Sequence, residues 1–136
     1  MYKCKYFEIH ELVPPKVYYH RRERAWELID DRVLITLDRL RERFGRMTVN
    51  NYVWGGEREW SGLRTPDSPY FSPNSQHTFG RAMDCLFDDI KPHNIRAQML
   101  GSPNDETFEY ITAIEMNVGW LHFDVRNCPR ITTFYP

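Results

Sequence analysis

The stretch SQHTFGRAMDC, Ser75 to Cys85, sets a histidine and an aspartate seven positions apart across one glycine. Imidazole and carboxylate both bind zinc, through bonds of only about 2 Å. Seven residues span about 10.5 Å along a helix and roughly 23 Å along a strand, so His77 and Asp84 can share an ion only if the backbone folds back. Gly80 supplies a place to turn. After it, RAMDCLFDD reads as a strand with Ala82, Asp84 and Leu86 on one face and Met83, Cys85 and Phe87 on the other. Asp84 among small and apolar neighbours is costly to bury without a partner. Cys85 points away from any ion that Asp84 binds.

A third ligand is available in WLHFDV, where Leu121, Phe123 and Val125 face one way and Trp120, His122 and Asp124 the other. A hairpin of YITAIE and WLHFDV across MNVG pairs Glu115 with Trp120 and Ala113 with His122, and paired residues share a face. His77, Asp84, His122 and Glu115 then converge. Three protein ligands with room for water are the set of a catalytic zinc, and a carboxylate beside them can act as general base. The competing reading of the same spacing is a buried histidine bonded to an aspartate. His10, His20 and His93 read as peripheral.

The elements that must position these residues come from the apolar pattern. ERAWELIDDRVLITLDRLRERFG predicts one long helix ending at Gly45, with Trp26, Ile29, Val33, Leu37, Leu40 and Phe44 as its core stripe. Arg39, Arg41 and Arg43 alternate with Asp38 and Glu42, the pattern of a solvated face rather than a nucleic-acid surface. MTVNNYVW reads as a strand, and a Gly-, Pro- and Ser-rich connection follows from Gly55 to Ser75. Connections of that length usually carry function or motion. KPHNIRAQML predicts a short helix opened by Pro92, and YITAIE and WLHFDV two more strands. The expected fold is α+β, a mainly antiparallel sheet with flanking helices, in a single domain over residues 1–136.

Composition limits the partners. With 18 basic against 19 acidic residues, the net field gives no reason to expect nucleic acid or an anionic membrane. No apolar run reaches the length of a membrane span, and MYKCKYFEIHELVPP lacks the features of a secretory signal, which predicts synthesis as a soluble cytoplasmic protein. Cys4, Cys85 and Cys128 are scattered and odd in number, so reduced thiols are expected rather than disulfides or a cysteine zinc site.

SQHTFGRAMDC resembles the S-x-H-x-x-G-x-A-x-D signature of the zinc D-alanyl-D-alanine carboxypeptidase family, which shares its fold with the hedgehog signalling domain and some phage endolysin peptidases. WLHFDVR is similar to that family's strand carrying the last histidine, and SGLR, Ser61 to Arg64, to its segment carrying a substrate-side arginine. YFEIHELVP, AWELID and NNYVWGG resemble small phage-encoded members, so the likeness extends over most of the chain. It implies that His77, Asp84 and His122 bind one zinc, that Arg64 and Ser75 contact substrate, and that Glu115 takes a proton from the attacking water and returns it to the leaving amine. Several branches place the catalytic acid three positions before the last histidine, where this chain has Gly119. Glu115 matches the hedgehog and small phage branches instead, and Asp124, on the face of His122, is the rival acid, otherwise a group that orients the histidine or lies at the surface.

The function expected is therefore a zinc peptidase hydrolysing peptidoglycan stem peptides, as a D-Ala-D-Ala carboxypeptidase or an endolysin-type endopeptidase. It would act at the bacterial cell wall or as part of a phage particle. The alternative is a non-catalytic zinc-binding structural or recognition module with other virion proteins as partners. A metal-dependent nuclease, resting on the Arg-rich helix, is the weakest class.

Overall fold

All 136 residues are described by a computed structural model. Helix α1 spans Pro15–Arg21 with proline at its first position, where a missing N–H is tolerated and φ is preset. The long helix expected next is broken. Arg22–Leu28 wind as 3-10 turns, Ile29 is extended at φ −109° and ψ 133°, and α2 spans Asp31–Phe44. Asp30 makes the break, because its side chain caps α2 by accepting from Arg32 N at 2.9 Å. Its own N–H turns aside to donate to Gly80 O at 3.0 Å.

Val33, Leu34, Leu37 and Leu40 of α2 are fully buried, each stabilising the fold by about 1.5–3 kcal/mol. Helix α3, Pro92–Gly101, adds Ile95 and Met99. These side chains share one core with Met83, Cys85, Ile114, Leu121 and Phe123 from a single face of the sheet. No helix is long and apolar enough to cross a membrane.

The sheet has five strands: β1 (Met47–Thr48), β2 (Ala82–Phe87), β3 (Ala113–Glu115), β4 (Leu121–Asp124) and β5 (Thr132–Phe134), in the order β1-β2-β4-β3-β5. β1 is far shorter than MTVNNYVW suggested. Asn50 Nδ2 donates to Val13 O and its Oδ1 accepts from Ser61 N, while Asn51 Oδ1 accepts from Arg58 N. Asparagine side chains thus replace the strand ladder with loop contacts. The sheet is mixed, since β5 joins β3 in parallel while the other pairings are antiparallel.

Register decides what the open face carries. Ala82 pairs with Asp124 and Asp84 with His122, Ala113 pairs with Asp124, and Glu115 pairs with Phe134. Continuing the β3–β4 register puts Glu115 directly opposite His122. The hairpin expected from sequence was two residues out of step, a slip that preserves the face because the side-chain period is two. Asp84, His122, Glu115 and Phe134 therefore form one row across four strands, away from the core.

Candidate metal centre

His77 reaches this row from the turn before β2. Ser75 caps the 3-10 turn Gln76–Phe79 through its Oγ, which accepts from His77 N at 3.2 Å. Gly80 closes the turn in the left-handed region, at φ 66° and ψ 27°. It also lies against the backbone of Leu28, where any Cβ would collide with a carbonyl oxygen. Gly80 is thus both the expected turn and a close approach that the sequence did not reveal.

The fold-back brings one donor atom each from His77, Asp84 and His122 within 4.8 Å of one another, all three residues buried. Asp84 Oδ1 lies 3.3 Å from His77 Nε2 and 2.9 Å from His122 Nδ1. Ligands about 2.0–2.1 Å from a tetrahedral zinc stand roughly 3.3 Å apart, so this spacing suits a small cation.

Proton placement argues the same way. His77 Nδ1 lies 2.9 Å from Gly62 O, and a carbonyl only accepts, so Nδ1 carries the proton and Nε2 offers its lone pair. His122 Nε2 lies 2.9 Å from Asp124 Oδ2 and Nδ1 2.9 Å from Asp84 Oδ1, so both nitrogens face carboxylates, and a cation between Nδ1 and Asp84 would leave the proton on Nε2. Each imidazole is oriented through its far nitrogen, as in carboxylate–histidine–metal arrangements. The donor set fits a metal ion.

Asp124 is fully buried and committed. Besides His122, it accepts from Arg126 Nη2 at 2.6 Å and Nε at 2.8 Å. Burial pushes its carboxyl up, but the hydrogen bonds from Arg126 and His122 outweigh burial and hold it below the usual carboxylate range. It orients the histidine rather than facing the cleft, and its surface alternative is excluded. Burial likewise opposes the charge on Asp84, yet bonds from His122 and His77 keep it well below its ordinary value. In the metal-free protein burial pulls the His122 imidazole down, and its hydrogen bonds to Asp124 and Asp84 reverse this, lifting it to about 9. A cation at this point takes the place of a proton.

Glu115 ends β3 half-buried, and no hydrogen bond or ion pair engages its carboxylate. It lines a cleft of about 390 Å³ with the three candidate ligands, Arg64, Ser75 and Trp120. Arg64 stands closer to the centre than a pure substrate contact requires. Its Nη2 donates to Asp84 Oδ2 at 3.1 Å and its Nε to Trp60 O at 2.7 Å, leaving Nη1 without a protein partner. Burial lowers its pKa, partly offset by Asp84 and Glu115.

Other participants went unread in the sequence. Arg126 had a signal in the D-x-R spacing after His122. Phe134, edge-on to His122 at 5.4 Å, had none, because only the parallel β5 brings it there. Gln76 Oε1 is a buried acceptor without a partner on a residue of the cleft wall. His20 and His93 are exposed and His10 packs against Tyr18 and Trp54, none of them in the cluster. In comparisons with known proteins, no family model, no curated protein and no solved structure matches this chain.

Proposed function

We propose that this chain is a zinc-dependent peptidase with a hedgehog/D-Ala-D-Ala-peptidase-like fold, acting on peptidoglycan stem peptides, and that phage-borne wall degradation is its setting. One observation carries the reading. A buried His77–Asp84–His122 cluster, with both outer imidazole nitrogens held, shares its cleft with the unpartnered carboxylate of Glu115. A purely structural cage needs no free acid facing the same cavity. The choice of peptide bonds, and of cell-wall peptides among them, rests on the likeness of SQHTFGRAMDC and WLHFDVR to that family's signature segments.

A bound zinc supplies a Lewis acid for the scissile carbonyl and makes water nucleophilic near neutral pH. The residues of the chain do the remaining work. His77, Asp84 and His122 hold the ion, and Gly62 and Asp124 hold the two imidazoles in their ligating tautomers. Glu115 accepts the proton of the attacking water and delivers it to the leaving amine. Arg64 fixes Asp84 through one nitrogen and offers Nη1 to a substrate carboxylate or the developing oxyanion.

The test is metal content and cleavage of defined muropeptides, followed by mass spectrometry, in the wild type and Glu115→Gln. The expected result is stoichiometric zinc in both proteins and a loss of about 10²–10⁴-fold in kcat for the variant. Full activity of zinc-loaded Glu115→Gln would remove Glu115 as the base. A zinc-loaded wild type inert toward every muropeptide would favour the non-catalytic module.

A further inference from the structure

The metal cleft continues into a second hollow of about 290 Å³, which shares Arg64, Tyr70, Asp84 and Trp120 with it and adds Trp60, Glu57 and Glu59. A substrate lying over the metal centre therefore extends into this hollow. The backbone that carries its aromatic walls is held in place. Arg64 Nε holds the carbonyl oxygen of Trp60 at 2.7 Å. Arg96, only 6% exposed and without a carboxylate partner, holds those of Trp120 at 3.0 Å and Val118 at 3.3 Å. A buried guanidinium spent on two turn carbonyls is an expensive way to shape a loop, and its effect is to fix Trp120 beside the cleft.

The charges in the hollow are unevenly committed. Arg64 is paired with Asp84, and Arg58 directs its Nε back into the fold, onto Val49 O at 3.1 Å. Glu57 and Glu59 line the same hollow, and neither carboxylate takes part in a hydrogen bond or ion pair. Aromatic faces with unpaired carboxylates favour one chemical class, a cation on an apolar stem. The free edge of the hollow is half open, since Tyr70 is 66% and Trp120 36% exposed, which leaves room for a flexible chain to enter.

We propose that this hollow is a substrate subsite for an alkylammonium side chain, that of a lysine-type or other diamino acid residue adjoining the scissile bond. The stem lies against Trp60 and Trp120, and the ammonium group meets Glu57 and Glu59. The proposal rests on the peptidase reading for the identity of the chain that carries the amine, and a binding measurement keeps the two separable.

Two stem peptides identical but for acetylation of the side-chain amine are compared on the zinc-loaded enzyme. In parallel, lysine amide and its Nε-acetyl form are titrated while the four tryptophan indole N–H signals are followed by NMR. The expected results are a kcat/KM on the order of tenfold higher for the free amine and a ratio falling to within about twofold in Glu57→Gln/Glu59→Gln. Lysine amide should move the Trp60 and Trp120 signals while Trp26 and Trp54 stay still. Glu57 is exposed and Glu59 half-buried, so the double variant is expected to fold. Equal kcat/KM for the two peptides in the wild type overturns the subsite and leaves the peptidase reading intact. If neither peptide is cleaved, movement of the Trp60 and Trp120 signals by lysine amide alone upholds the subsite and removes the peptidase reading. Unmoved indole signals overturn the subsite in either case.

Discussion

Gly80 does two jobs at once, and a series of glycine-to-alanine changes separates them. At Gly101, the end of α3, an added Cβ meets nothing within 4 Å and φ is not positive, so alanine should be neutral to about 1 kcal/mol stabilising. At Gly55 the Cβ again meets nothing, but φ is 87°, so alanine isolates the left-handed strain of about 1–2 kcal/mol. At Gly80 the same strain applies at φ 66°, and the Cβ also strikes the Leu28 carbonyl oxygen, which is backbone and cannot swing away. Relief requires moving the Ile29–Asp30 break, which loosens the bond from Asp30 N to Gly80 O, itself about 1 kcal/mol. The two terms sum to about 2–3 kcal/mol, a large share of a typical domain stability of about 5–15 kcal/mol. Urea unfolding with excess chelator, followed by tryptophan fluorescence, measures the fold without the metal. Equal losses for Gly80→Ala and Gly55→Ala would refute the close-approach argument, leaving only the turn.

Three further outcomes follow from the same geometry. Asp124→Asn should weaken zinc binding about 10–100-fold, read by chelator competition above pH 9, where the proton on His122 no longer competes; unchanged affinity would mean that Asp124 does not tune its histidine. Asp38, 4% exposed, accepts from Tyr2 Oη, Lys5 N and Tyr6 N. Asp38→Ala should therefore cost about 2–3 kcal/mol and free residues 2–6 for hydrogen exchange, and wild-type protection there would count against this clamp. In the metal-free protein His122 is raised from 6.5 to about 9, so its contribution is complete below pH 6.5 and lost as pH rises through 9. Asp84 is depressed, so its contribution is present above the ordinary carboxylate range and lost only as strong acid titrates it. Chelator-treated protein should thus lose on the order of 2–3 kcal/mol between pH 6.5 and 9, and a flat urea midpoint over that window would contradict the sandwiched imidazolium.

Local periodicity was a sound guide wherever one chemical signal dominated. β4 alternates strictly and β2 sets Asp84 between Met83 and Cys85, so the shared face of Asp84 and His122 and the inward Cys85 could be read directly, and Pro92 marked the start of α3. The long helix failed at Asp30 because an apolar stripe continues through 3-10 turns as readily as through α-helix, while the cap and the Gly80 contact are tertiary. MTVNNYVW failed for a related reason. Its β-branched residues favour a strand, but Asn50 and Asn51 bond to Val13, Ser61 and Arg58, residues far enough along the chain that no window contains them.

By itself the sequence determined the donor types, the turn at Gly80 and the parity that puts Asp84, His122 and Glu115 on one side of their strands. Side-chain parity follows from a period of two and survives the two-residue error in the hairpin register. Only the tertiary structure decided which nitrogen of each imidazole faces the cluster, because that depends on Gly62 O and Asp124 standing at 2.9 Å behind the rings. It also decided that Asp124 is consumed by Arg126, and that Phe134 closes the row through a parallel strand. Ligand chemistry is a property of residue types and local geometry, whereas proton placement and access depend on groups that meet only after the chain has folded.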